Sequence, residues 1–116
     1  MVFAVALGGW TWLLLTPNPV PPPVAAVFGF HAWASFFAAK VLHVGAYAVL
    51  AALAAVAVRD AGPRAGHLAA GFMLLHGVAT EIGQTYVPNR SGSVRDVGLD
   101  WIGITAGTLA VWRFRR

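Results

Sequence analysis

Hydrophobic residues run along this chain in four blocks, parted by short clusters of proline, glycine and arginine. The first block, residues 2–16 (VFAVALGGWTWLLLT), carries no charge and is long enough for a helix. It falls short of the roughly 20 residues that a hydrocarbon core of about 30 Å requires. A cleaved leader would begin with basic residues and end on a small-x-small site, and this block has neither. The run PNPVPPP that follows stops a helix and favours an extended, polyproline-like turn.

Residues 24–58 stay largely apolar, interrupted by Lys40 and sprinkled with His31 and His43. One helix of that length would reach about 50 Å, too long for a single crossing. The pattern therefore predicts a division near Phe37. Before it lies an interfacial or re-entrant piece, VAAVFGFHAWASFF, with His31 and Trp33 in the headgroup zone; after it comes a span. A long tilted helix projecting beyond the bilayer is the alternative. RDAGPRAG at 59–66 is a charged Gly/Pro loop. A third block stops at Pro88, the loop PNRSGSVRD follows, and a fourth block is closed by RFRR. The expected architecture is all-α. It is a polytopic membrane protein of one domain over residues 1–116, with spans at about 2–16, 38–58, 67–87 and 97–112. Four such spans make a bundle of four transmembrane helices, with a short interfacial or re-entrant segment after the first.

Composition sharpens this reading. Apolar residues make up 59% of the chain and charged residues 10%, against an apolar share of about 45–50% in soluble domains. Mean hydropathy is +0.71. Cysteine is absent, which removes disulfides and thiolate metal sites. The net charge of +4 comes from basic residues at the block edges, with no long Lys/Arg cluster or basic helix, so a nucleic-acid partner is not expected. Arg59, Arg64, Arg113, Arg115 and Arg116 fall on one side of the bundle, Lys40, Arg90 and Arg95 on the other. The larger group marks the cytoplasmic side, which puts both termini inside and the protein in the inner (cytoplasmic) membrane as a multi-pass chain.

The candidate chemistry lies on the opposite, outer side. Lys40, His43 and Tyr47 share one helical stripe; Gly77, Glu81 and Gln84 share another; Asp96, Asp100, Gly103 and Gly107 form a third. The small residues permit close backbone approach, so the three stripes are expected to face one another. His76 and Thr80 lie beside the Glu81 stripe, whereas His31 and His67 read as interfacial. Polar residues within a bundle also act as simple glue for helix register, which is the competing account of each residue singly.

Three runs, AKVLHVGAY at 39–47, EIGQ at 81–84 and PNRSGSVRDVGLDWIG at 88–103, resemble the VanZ-like family of small bacterial membrane proteins. The family's pattern looks like Asp-Lys-x-x-His-x-x-x-Tyr, then Glu-x-x-Gln, then Pro-x-Arg-x-x-Ser-x-x-Asp-x-x-x-Asn-x-x-Gly. Lys40, His43, Tyr47, Glu81, Gln84, Arg90, Ser93, Asp96 and Gly103 match, and the similarity covers residues 39–107. Two positions depart: Ala39 replaces an Asp and Asp100 an Asn, so the carboxylate lost at one place is regained at the other. The resemblance implies a membrane-embedded fold in the cell envelope and a link to glycopeptide, specifically teicoplanin, susceptibility.

Three functions are compatible with these residues. The first is an outward-facing polar pocket lined by Lys40, His43, Tyr47, Glu81, Gln84, Arg90, Ser93, Arg95, Asp96 and Asp100. It would bind an anionic lipid headgroup, a lipid-linked precursor or a glycopeptide, with Arg90 and Arg95 as forked donors. The second is an intramembrane hydrolase or transferase on a lipid-linked substrate, with Glu81 or His43 as general base and Asp96 orienting a partner. No Gly-x-Ser-x-Gly elbow or His-Glu-x-x-His motif supports it. The third is a proton-coupled transporter relaying through Glu81 and Asp100. Of these the binding protein is the expectation. No cofactor is expected. A metal at His43, Glu81, Asp96 and Asp100 would suit Mg²⁺, Mn²⁺ or Zn²⁺, but the neighbouring cations weigh against it.

Overall fold

A computed structural model describes residues 1–17, 32–88 and 92–115, with backbone alone for 32–36, 38 and 39. The described residues form four α-helices and one 3-10 turn, with no strand. Helix α1 covers Val2–Leu15 and ends at Thr16, whose extended backbone (φ −87°, ψ 131°) is what a following proline imposes. Helix α2 covers Ala32–Ala57 without interruption. The 3-10 turn Arg59–Ala61 leads to Gly62 at φ +90°, a conformation that glycine alone adopts freely. Helix α3, Pro63–Gln84, begins with proline at its first position, where the missing N–H costs nothing. Helix α4, Val94–Phe114, begins at Ser93, whose hydroxyl accepts the Asp96 N–H at 3.1 Å.

These helices differ from the expected spans in their limits. Helix α2 passes through Phe37, so no break occurs there, and it starts six residues ahead of the expected span at 38. The rest of the proposed re-entrant piece, residues 24–31 with His31, lies outside the described residues. Helices α3 and α4 both begin earlier than the expected spans do, taking in Arg64, Arg95 and Asp96. Charge does not interrupt a helix's hydrogen bonds; proline, which lacks the N–H, does. Apolar limits therefore mark where the surroundings change, and Pro63 and Pro88 mark where helices can start or stop.

Side-chain pairings give the topology. Lys40 meets Asp96 and His43 meets Asp100, so α2 and α4 run parallel. Gly77 faces Asp100 and Gly66 faces Trp112, so α3 runs antiparallel to α4. Thr11 meets His76 and Leu14 meets Gln84, so α1 runs parallel to α3. The bundle is up-down-up-down. One end gathers the C-termini of α1 and α3 and the N-termini of α2 and α4.

The α2–α4 contact is the most extensive in the bundle. A Cβ placed on Gly103 would run into the carbonyl oxygen of Val44, and one on Gly107 into that of Ala48. The two helices touch backbone to backbone across these positions, as small-xxx-small faces allow. Leu14, Tyr47, Leu50, Ala51, Ala54, Met73 and Ile104 form the buried apolar core. The outer surface is apolar as well: Val41, Leu68 and Leu75 are 70%, 74% and 71% exposed. Within α2, residues Lys40–Ala57 have a mean hydropathy of 1.8, and among the described residues this is the one helix long and apolar enough to cross a membrane. Helix α1 is apolar but has 14 residues. In α3 and α4 the inward polar stripes lower the average although the outward faces stay apolar.

Gly107→Ala should lower stability in detergent by about 1–3 kcal/mol, the usual cost of overpacking. Gly71→Ala, whose added carbon would meet nothing within 4 Å, should raise it by about 0.5–1 kcal/mol. Thermal unfolding of both variants checks the opposite signs.

Candidate functional site

Parallel helices at backbone contact advance together, so polar positions three or four residues apart on α2 and α4 meet as rungs. The first rung is an ion pair between the Lys40 ammonium and the Asp96 carboxylate. The second is His43 Nδ1 donating to Asp100 Oδ1 at 3.0 Å. Helix α3 enters from the other direction and brings Glu81, which accepts the Ser93 N–H at 2.9 Å through Oε2. Gly92 lies directly over the Glu81 carbonyl, where a Cβ would collide, so the backbone just ahead of α4 touches the last turns of α3. Ser93 thus has two duties, its hydroxyl capping α4 and its N–H holding Glu81. Opposite Asp100, Gly77 leaves room for the carboxylate: a Cβ there would lie 3.4 Å from the Asp100 Cβ.

The charges are deep. Asp100 is fully buried, Glu81 is 4% exposed and Asp96 6%. Among the described residues the cluster reaches the surface through Lys40 and His43, whose side chains are 23% and 12% exposed, and through the exposed Ser93. Glu81 Oε1 and Asp100 Oδ2 are buried with no hydrogen-bond partner among the described residues. Each such orphan costs about 1–3 kcal/mol.

A second, neutral network lies one turn deeper. The Tyr47 hydroxyl is 2.9 Å from Thr80 Oγ1 and 3.2 Å from His76 Nδ1, and His76 Nε2 is 2.8 Å from Thr11 Oγ1. Thr80 donates to the His76 and Gly77 carbonyls at 3.0 Å, which leaves the Tyr47 proton for Thr80 Oγ1 or His76 Nδ1, while His76 Nε2–H donates to Thr11 and Thr11 to the Leu7 carbonyl at 2.7 Å. Gln84 Nε2 donates to the Leu14 carbonyl at 3.1 Å, satisfying an otherwise unpaired group at the end of α1. Trp10 lays its ring edge-on against His43 and Tyr47, with centroids 5.6 and 6.2 Å away.

Of the residues singled out from sequence, Lys40, His43, Glu81, Ser93, Asp96 and Asp100 come together in the first cluster, and Tyr47 joins the second with His76 and Thr80. Gln84 reaches α1 instead of the charges. Arg95 is exposed on the first turn of α4. Arg90 lies outside the described residues, as does the side chain of Ala39. His67 sits at the far end, beside Trp112 with ring centroids 5.3 Å apart. The groove lined by Arg59, Gly62, Pro63, His67, Trp112 and Arg115 also lies there, which puts these basic residues at one end of the bundle. Sequence reasoning gave α1 no part in the site. The available signal was Leu7, Thr11 and Leu14 on one face, with Thr11 a polar residue inside an apolar block.

Searches against family models, curated proteins and solved structures return no match for this chain. Its chemistry therefore has to be read from the cluster. An imidazole held by a buried carboxylate is the arrangement of a general base or a metal ligand. Buried carboxylates with unused oxygens call for a proton or a cation.

Lys40→Met removes the partner of a mostly buried carboxylate and should cost about 3 kcal/mol, the low end for a broken buried pair because Lys40 is partly exposed. Adding Asp96→Asn should recover most of that loss. Urea unfolding of the single and double variants in detergent provides the comparison.

Proposed function

We propose that this chain is a VanZ-like, multi-pass protein of the bacterial inner membrane with both termini on the cytoplasmic side. Its charged cluster faces outward and engages the anionic group of an envelope ligand: a lipid headgroup, a lipid-linked precursor or a glycopeptide. Binding there would alter susceptibility to glycopeptides such as teicoplanin. The observation that carries this reading is the inverted distribution of side chains. Glu81, Asp96 and Asp100 are buried together at one end, while Val41, Leu68, Phe72, Leu75, Ile102 and Leu109 face outward. In water that arrangement loses on both counts, exposing apolar area and burying charge; beside acyl chains it gains on both.

The anionic preference rests on position. Arg95 is exposed on the first turn of α4 and unpaired among the described residues, and Arg90 stands five positions before it in the sequence. A helix N-terminus adds positive potential at the same place. A second reading, an intramembrane hydrolase or transferase on a lipid-linked substrate, draws support from the His43–Asp100 contact at 3.0 Å.

Topology can be tested in a chain that has no native cysteine. Tyr86→Cys should react with a membrane-impermeant maleimide in intact spheroplasts, and Asp60→Cys only after permeabilisation, both positions being highly exposed. The reverse pattern overturns the orientation, and labelling of both sites overturns the multi-pass reading. For the ligand, native mass spectrometry of the detergent-purified protein should show phosphatidylglycerol retained over phosphatidylcholine. Arg95→Gln should reduce that preference about fivefold, the effect of about 1 kcal/mol for one cation near an anionic headgroup. Equal retention of the two lipids removes the binding proposal, and release of phosphate from a lipid-linked pyrophosphate would favour the enzyme.

A further inference from the structure

We propose that His43, Glu81 and Asp100 form a divalent metal site, selective for Zn²⁺ or Mn²⁺, at the buried end of the cluster. One ligand atom from each of these residues lies within 4.8 Å of the others. Around an ion with bonds of about 2.0–2.2 Å, ligand atoms stand about 3–4 Å apart, so small side-chain rotations bring this set into place. The His43 Nδ1 to Asp100 Oδ1 separation of 3.0 Å equals one edge of such a polyhedron once the proton that these atoms share is released to solvent as the ion binds.

Two further observations point to a cation. Glu81 Oε1 and Asp100 Oδ2 are both buried and unpartnered among the described residues, on side chains that are 4% and 0% exposed. The described cluster also contains three buried carboxylates, Glu81, Asp96 and Asp100, and a single ammonium, Lys40. With the carboxylates and Lys40 ionised and the imidazole neutral, as a metal ligand must be, two negative charges are uncancelled, the charge that one divalent ion neutralises. The objection that neighbouring cations repel a metal is weakened by the geometry, because Lys40 is committed to Asp96 on the outer rung. Helix α3 supplies Glu81 from the opposite direction, with its Oε2 anchored by the Ser93 N–H and its other oxygen left over. One imidazole with two carboxylates suits Zn²⁺ and Mn²⁺; Mg²⁺ favours oxygen alone. Three protein ligands also leave coordination positions for water or for a phosphate oxygen. The site stands apart from the headgroup proposal, yet it would supply positive charge where an anionic ligand needs it.

The test uses the full-length chain in detergent, stripped with chelator and titrated with Zn²⁺ or Mn²⁺ alone, without added phospholipid. One ion per chain is expected by calorimetry and elemental analysis. His43→Ala and Asp100→Asn should each weaken binding by at least the about 10-fold that even outer-shell changes cause, and Asp60→Asn on the exposed turn should leave it unchanged. Wild-type protein that takes up no ion, or uptake that survives Asp100→Asn undiminished, overturns the site. Since Asp100 variants can misfold, Mn²⁺ on the wild type is also examined by pulsed electron paramagnetic resonance. Coupling to an imidazole nitrogen is expected, and a spectrum of oxygen ligands alone overturns the proposal. Because no lipid is added, failure here leaves the phosphatidylglycerol preference standing, and loss of that preference leaves the metal site standing.

Discussion

Backbone contact between α2 and α4 sets the rest of the structure. Gly103 and Gly107 present no side chain, so the Val44 and Ala48 carbonyls of α2 press directly on α4. At that distance two parallel helices keep a common register, and short side chains such as aspartate can reach across. Lys40–Asp96 and His43–Asp100 are the product. Widening the gap by one methyl group on each turn would pull the Asp100 carboxylate away from the His43 ring. The glycines, which have no chemistry of their own, thus control where the chemistry sits.

The remaining helices complete what that pair begins. Helix α3 runs the other way and delivers Glu81 to the same level, and Gly77 makes room for Asp100. Helix α1 closes the side: Trp10 against His43, Thr11 against His76, and the Leu14 carbonyl on Gln84. Polar groups withdrawn from water need partners, and several in this bundle find one on a different helix. Tyr47 illustrates the economy of this. Fully buried, it links α2 to Thr80 and His76 of α3, and through His76 to α1. The first cluster is different, because its carboxylates keep oxygens unused.

Hydropathy and structure measure different things in such a bundle. A window average counts every face of a helix, whereas its surroundings meet only the outer one. Helix α2 scores as a spanning helix because its polar residues are few. Helices α3 and α4 bring Glu81, Asp96 and Asp100 into the average, although those groups are buried and Leu68, Leu75 and Ile102 are what the exterior meets.

Much was legible in the amino-acid order. Four helical blocks follow from apolar runs and prolines, and the stripes of Lys40, His43 and Tyr47 or of Asp96 and Asp100 follow from the helical repeat. Those facts are local, fixed by backbone geometry within a few residues. The break expected at Phe37 failed for the same local reason, since nothing in that stretch interrupts the hydrogen bonds of α2. What only the tertiary structure decided is which stripe meets which. The order of residues does not state that Lys40 takes Asp96 and leaves Asp100 to His43, that Ser93 holds Glu81 by its N–H, or that α1 shares in the site. Those pairings depend on the separation and direction of whole helices, and a few glycines set that separation by the side chains they lack.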